Sequence, residues 1–299
     1  MSVPLNASRA GPDVTVIVPH YNDLVRLRTC LEAIELQTLS RERFEIVVAD
    51  NSSPVGLAAV EAAVAGRARV TVAGERGAGM ARNAGVAEAR GSVLAFTDSD
   101  CIPEPNWLAA GLARLANADL VGGRMTVSVG DEARMTGAEA FERVFAFHNR
   151  HYIEKKRFSV TANLFCRRSL FDAVGPFRNA EISEDFEWCR RAVAQGFSLV
   201  YEPSAVVSHP ARADWLQLKR KWTRMNAETY AMTGKGKAGQ LRWVARNLSM
   251  PFSILAHVPK VVASPELPDA RARVRALGTL ARLRLWRMVD GLRLVGRNL

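Results

Sequence analysis

The 299 residues include only four cysteines, five histidines and four tyrosines, and aromatic residues make up just 7%. Cys30, Cys101, Cys166 and Cys189 lie far apart, with no Cys-x-x-Cys spacing. That excludes a disulfide scaffold and a cysteine zinc site, and it predicts unpaired thiols in a reducing compartment. Long apolar runs are also missing. No window reaches the about 18–20 uninterrupted apolar residues of a membrane span. The longest late stretch, "MPFSILAHVP", is short and bracketed by prolines. Residues 1–13 lack the apolar segment of a secretory leader, so the sequence reads as cytoplasmic. It has no internal repeat and no low-complexity linker.

What is present is ordinary soluble composition, 48% hydrophobic and 24% charged, at a length that suits roughly two domains. The net charge of +11 is unevenly placed. From Ala211 to Leu299 there are 18 Lys+Arg against 5 Asp+Glu, whereas residues 1–210 hold 23 against 25. The basicity belongs to the C-terminal third.

"VTVIVP" (Val14–Pro19) is a β-branched run, and the stretch after it has helical spacing at Leu24, Leu27, Leu31 and Ile34. The alternation repeats: "FEIVVAD", "ARVTVA" and "SVLAFTD" read as strands, "VGLAAVEAAVA" and "GMARNAGVAEAR" as helices. Apolar strands separated by helices of about 10–15 residues argue for an open, mostly parallel α/β sheet with helices on both faces. Beyond Pro105 the pattern loosens. A helix over Asn106–Leu115, a strand near "DLVGGRMTV", a helical stretch around Ala138–Tyr152, a helix over "EDFEWCRRAVAQG" and a strand "SLVYEP" follow. Past Pro210 the chain predicts a series of basic helices.

Ligands of open parallel sheets bind outside the carboxyl ends of the strands. Three early strands end there in polar groups: Pro19-His20-Tyr21-Asn22, Asp50-Asn51-Ser52 and Asp98-Ser99-Asp100. Such residues are also ordinary turn formers. Two carboxylates spaced i, i+2 at a strand end repel each other, which a divalent cation such as Mg²⁺ or Mn²⁺ would relieve. "GERGAGMARNAG" is not a dinucleotide fingerprint, because Arg82 stands where the third glycine belongs and the segment follows the third strand. It reads as a glycine-opened helix start offering N–H groups and Arg82 to an anion, or as a plain loop. Glu184 and Asp185 open a helix, where acids suit the macrodipole and a rigidly held general base is also suited. His209 comes 24 residues after Asp185, at a strand end. It is a surface histidine or a third metal ligand.

In order and separation, "VTVIVPHYND", "IVVADNSS", "GAGMARNAG", "VLAFTDSDCIPEPNWL", "TANLFCRRSLFDAVGPF", "SEDFEWCRRAVAQGFSLVYEP" and "SHP" resemble a family 2 glycosyltransferase, over about residues 13–210. The resemblance implies a GT-A, Rossmann-like fold and an inverting, metal-dependent transfer of one sugar from a nucleoside diphosphate sugar, UDP ahead of GDP. It implies Pro19 and Tyr21 against the nucleotide, Asp50 on the base, and Arg82 and Asn83 near the nucleotide and its phosphates. Asp98 and Ser99 would lie toward the ribose, with Asp98, Asp100 and His209 around Mn²⁺ or Mg²⁺, Asp185 as base, and Glu184 touching the acceptor. The expected divisions are a tail (1–12), a nucleotide-sugar-binding half (13–105), an acceptor-binding half (106–215) and a basic helical extension (216–299). Processive relatives carry Gln/Arg-x-x-Arg-Trp; here Leu218-Lys219-Arg220-Lys221-Trp222 departs at both diagnostic positions. That implies single transfer to a glycan or lipid-linked acceptor in cell-envelope polysaccharide synthesis. A sugar-nucleotide pyrophosphorylase fits less well, because "PHYNDL" lacks a glycine-rich loop after the first strand. A catalytically degenerate paralogue that binds sugar nucleotide or membrane stays open.

In the tail, Val274, Leu277, Ala281, Leu285, Met288, Leu292 and Val295 share one helical stripe, flanked by arginines. This predicts an amphipathic helix on an anionic membrane surface, peripheral on the inner face of the cell membrane. A helix packed on the body with solvated arginines is the alternative. No known nucleic-acid module is present.

Overall fold

A computed structural model describes residues 11–179, 183–233 and 236–296. All of the expected N-terminal tail except Gly11 and Pro12 therefore lies outside the described residues, as do Ala180–Ile182 before the acidic pair.

The early apolar runs form strands β1 (Val14–His20), β2 (Phe44–Asp50), β3 (Arg69–Val72) and β4 (Val93–Phe96). They pair in parallel in the order β3-β2-β1-β4. All of β4 and nearly all of β1 are buried, which is why they read as unbroken apolar runs. Helices α1 (Leu24–Glu35), α2 (Leu57–Val64) and α3 (Ala78–Glu88) connect them. Helix α3 lies hard against β1: a Cβ on Gly85 would come within 2.7 Å of Ile17 Cγ2. Only glycine allows that approach.

Past β4 the parallel plan ends. Strands β5 (Ile102–Pro103), β6 (Leu120–Ser128), β7 (Leu164–Arg167) and β8 (Leu199–Pro210) continue the sheet in the order β4-β7-β6-β8-β5. Strand β7 runs antiparallel to both β4 and β6, and β5 runs antiparallel to β8. A buried apolar run looks the same in either direction, so the sequence could not reveal this reversal. The strand expected to stop at Pro203 runs on to Pro210. Ala205, Val206 and Val207 are buried, and the exposed Pro203 is tolerated where its missing N–H is not needed.

Helices α4 (Trp107–Leu115), α5 (Gly137–Phe145), α6 (Asn149–His151), α7 (Arg168–Val174) and α8 (Glu184–Ala194) accompany these strands. The helical stretch expected over Ala138–Tyr152 is interrupted: Ala146 is extended and Phe147 has φ 52°. After α6 the chain makes a π turn over Tyr152–Lys156. Beneath β4, Phe96, Phe171, Phe177 and Trp188 pack with ring centroids 5.3–6.2 Å apart, fastening α7 and α8 to the sheet.

The chain divides into two compact units. The first comprises residues up to Thr126 with His148–His209, and the second Val127–Phe147 with Pro210 onward. The basic helices α9 (Trp215–Thr233), α10 (Gly236–Leu248), α11 (Phe252–Val262) and α12 (Ala270–Gly296) thus share a unit with α5. Its core is built from Met135, Phe141, Val144, Leu218, Leu280 and Leu283. Helix α12 packs through the side opposite the expected stripe. It buries Ala272, Ala276, Leu280, Leu283, Arg287 and Gly291, while Val274 and Leu285 are exposed. Close helix crossings select small residues over large ones: a Cβ on Gly291 would meet Asn247 Oδ1 at 2.1 Å. Arg287 is buried with its guanidinium 3.9 Å from the Trp222 ring centroid.

Leu218 is fully buried, so the "LKRKW" stretch serves this core. Glu142 is 1% exposed and accepts from Lys221 Nζ at 2.7 Å and Arg212 Nη1 at 3.0 Å. Burial pushes the Glu142 carboxyl up, but the two cations outweigh it and hold it below the usual 4.5. Its contribution to stability is therefore present above pH 4.5 and is lost as pH falls through the lower folded value. Glu142→Ala should cost about 3 kcal/mol in denaturant titrations and should remove this part of the acid sensitivity.

Candidate active site

The residues expected at the site all lie in the first unit. Parallel register sets His20 beside Asp50. His20 Nε2 accepts from the Asp23 N–H at 3.1 Å, so Nδ1 carries the proton and donates to Asp50 Oδ1 at 2.9 Å. The Ser53 N–H donates to Asp50 Oδ2 and the Ser53 hydroxyl to Oδ1. Burial raises the Asp50 carboxyl, yet the Ser53 and His20 hydrogen bonds outweigh it and hold it low. Only 2% exposed, Asp50 clasps the loops after β1 and β2 together. Tyr21, 50% exposed, and the half-buried Pro19 stand at the rim above it.

The glycine-opened start of α3 is also partly spent. Gly77, at φ 143°, donates its N–H to Asn51 Oδ1 at 2.9 Å. Asn83 is clasped to the backbone of Phe177, donating to its carbonyl at 2.8 Å and accepting from its N–H at 2.9 Å. These two bonds fasten the Phe177 loop to α3. Arg82 is likewise paired within the protein. It is 3% exposed and donates to Asp98 Oδ1 at 2.6 Å and to Glu184 Oε1 at 2.7 Å. Two carboxylates occupy the fork that was expected to meet phosphate.

Asp98, Ser99 and Asp100 follow β4 and are each partly exposed. The pairing of Ile102 with Ser208 brings the end of β8 alongside, and His209 Nε2 lies 3.4 Å from Asp100 Oδ2. Ligand atoms of Asp98, Asp100 and Cys101 lie within 4.8 Å of one another. Carboxylates and an imidazole are the oxygen and nitrogen donors that suit Mn²⁺ or Mg²⁺. Cys101 sits behind them, buried, its thiol pushed well up first by burial and then by Asp98 and Asp100.

Across the Arg82 bridge, Glu184 and Asp185 open α8. Asp185 Oδ1 accepts from the Ser183 hydroxyl and from the Phe186 N–H. Desolvation dominates at Asp185: its carboxyl is pushed up to about 6 against these hydrogen bonds, with Glu184 adding to the rise. The aromatic surroundings are Phe186, edge-on to Phe158, which in turn stacks on Tyr152 at 5.1 Å. Tyr152 feels the Asp185 charge, since its hydroxyl is raised first by burial and also by that carboxylate. The sequence reading missed Tyr152. The π turn that carries it leaves no periodic trace.

Two acidic clusters on one rim, joined by a buried arginine, are matched by known proteins. The family model for glycosyl transferase family 2 covers residues 15–175. The chain belongs to this family. The glycosyltransferase AglE of Haloferax volcanii is 33% identical over 218 residues, 71% of each chain. The pre-mycofactocin glycosyltransferase of Mycobacterium tuberculosis is 31% identical over 224 residues, covering 70% of this chain and 46% of the relative. Among solved structures, mannosyltransferase PcManGT of Pyrobaculum calidifontis, in complex with GDP-Man and Mn²⁺, aligns with TM-score 0.60 at 18% identity. That alignment covers 94% of this glycosyltransferase and 86% of PcManGT. TarS 1–349 of S. aureus, in complex with UDP-GlcNAc, aligns at TM-score 0.54 and 15% identity, covering 94% and 88%. These likenesses establish the GT-A fold for this glycosyltransferase.

The Arg82 bridge is testable without substrate. An ammonium cannot span both carboxylates as the guanidinium fork does. Arg82→Lys should therefore lower stability by about 1–3 kcal/mol in thermal or denaturant unfolding, and Arg82→Ala by more.

Proposed function

We propose that this glycosyltransferase moves one sugar from a nucleoside diphosphate sugar to a hydroxyl of a glycan or lipid-linked acceptor, inverting the anomeric carbon. The observation that carries this reading is the Arg82 bridge, which unites the Asp98-Ser99-Asp100 rim with the Glu184-Asp185 helix start. A departing diphosphate needs the first cluster, and an attacking hydroxyl needs the second. Residues 13–105 form the donor half in this reading and 106–215 the acceptor half. Pro19, Tyr21 and Ser99 take the nucleotide, with Asp98 toward the ribose. Asp50, Arg82 and Asn83 act from beneath, fixing the loops that hold it.

Asp98, Asp100 and His209 hold Mn²⁺ or Mg²⁺, which supplies positive charge for the leaving diphosphate. Asp185 takes the acceptor proton. The acceptor oxygen bonds to the anomeric carbon as the carbon–diphosphate bond breaks on the opposite face, and the electron pair leaves with the diphosphate. Glu184 orients the acceptor, its own position set by Arg82. A carboxyl near 6 remains ionised at neutral pH while being more basic than an ordinary aspartate. Support for a single transfer comes from the departure at Leu218 and Lys221 from the processive motif. Uridine is the favoured nucleoside on the family resemblance.

In this reading the acceptor belongs to cell-envelope polysaccharide assembly, and transfer takes place at the cytoplasmic face of the membrane. Among the described residues no helix is long and apolar enough to cross a bilayer. The surplus positive charge after Ala211 supports contact with an anionic membrane surface.

Calorimetric titration with UDP and GDP, with and without Mn²⁺, tests the donor site. Metal-dependent UDP binding that Asp100→Ala abolishes is the expected result; binding of neither nucleotide would favour a non-catalytic sugar-nucleotide paralogue. Asp185→Asn should keep donor binding and lose about 10³-fold in transfer rate. Because the base works deprotonated, kcat/KM should rise with pH through about 6.

A further inference from the structure

Helix α11 presents an apolar face that nothing in its own unit covers. Its inner side packs into the helical core through Ile254 and Val261, with the His257 ring 5.7 Å from that of Phe145. Its outer side carries Phe252, Leu255 and Val262, spaced i, i+3 and i+10 on one helical face, at 75%, 75% and 53% exposure. Ala256 and Pro259 fill the exposed positions between them. A helix apolar on both sides belongs in a core or against another apolar phase. The preceding helix also exposes Leu241 and Leu248, at 71% and 53%.

The charge around this face identifies the occupant. Lys260, near its C-terminal end, is exposed with its ammonium 4.9 Å from the Phe145 ring centroid, and Arg273 donates to the Val262 and Ser264 carbonyls there. The nearby acids are engaged: Glu266 lies 3.8 Å from Arg143, and Asp269 accepts from the Ala272 N–H that opens α12. Large apolar side chains projecting from a helix bordered by cations, in a stretch with 18 basic and 5 acidic residues, match an anionic bilayer surface. We propose that the outer face of α11 is the membrane-inserting surface of this protein, with Phe252 and Leu255 entering the acyl boundary. The face assigned is α11's, where the sequence pattern had pointed to the stripe on α12. This deepens the membrane part of the proposed function and is independent of its chemistry.

Flotation of the full chain with vesicles of phosphatidylcholine alone, or mixed with phosphatidylglycerol, tests the assignment. The parent should float with the mixed vesicles and much less with the neutral ones. Phe252→Glu with Leu255→Glu should lower binding by about tenfold or more, with thermal unfolding and UDP titration unchanged. Phe252→Trp should retain binding, and Leu285→Glu on α12 should remain near the parent. Undiminished flotation of the double variant would overturn the proposal. So would loss of flotation in Leu285→Glu alone. Light scattering covers the other occupant: a parent dimer that the double variant dissociates, with vesicle binding intact, would assign the face to a second copy and overturn the bilayer reading. Normal flotation without UDP binding would leave this surface standing and sink the donor-site reading instead.

Discussion

One buried guanidinium holds two parts of the site in register. Arg82 is almost wholly withdrawn from water, whereas its partners Asp98 and Glu184 keep about a third of their side chains exposed, at 31% and 29%. The arginine cannot be solvated and must stay paired, while each carboxylate can still reach outward with its remaining lone pairs. The pairing fixes where β4 ends relative to where α8 begins, although those elements lie far apart in sequence. It also leaves the rim net acidic, which suits a cation. Gly79 belongs to the same arrangement, since a Cβ there would crowd Glu184 Cβ at 3.3 Å.

The same residue type is tuned in opposite directions within this unit. Asp50 and Asp185 both feel desolvation first. At Asp50 the Ser53 and His20 donors overcome it, and the carboxylate is locked as an anion that organises two loops. At Asp185, fewer donors let desolvation win and the carboxyl is pushed up to about 6, which suits the base role proposed for it. The balance of donors against burial, more than the identity of the side chain, separates a structural carboxylate from a reactive one.

The second unit solves a different problem, that of packing many cations. Arg287 stacks on Trp222, Arg282 lies 4.1 Å from the Trp215 ring centroid, and Arg212 and Lys221 share Glu142. Aromatic faces and one buried carboxylate take charge that acidic partners are too few to neutralise. Part of the tail's positive charge is therefore used inside the unit.

The first four strands, their connecting helices and the two acidic clusters were legible in the sequence, because burial on both faces writes itself as unbroken apolar runs with polar ends. Asp98 and Asp100 stood out as the polar end of such a run, and Glu184 and Asp185 as the acidic start of a helix. What the sequence could not carry was direction, depth and partnership. The antiparallel β7 reads like a parallel strand, and the two-residue β5 that helps seat His209 is too short to show any period. The family resemblance implied ligand contacts for Arg82, Asn83 and Asp50. Tertiary packing turned them inward, since their hydrogen-bonding partners come from residues as far as 102 positions away. Sequence alone determined which chemistry was available; the tertiary structure decided which groups were spent on holding the fold and which were left free to react.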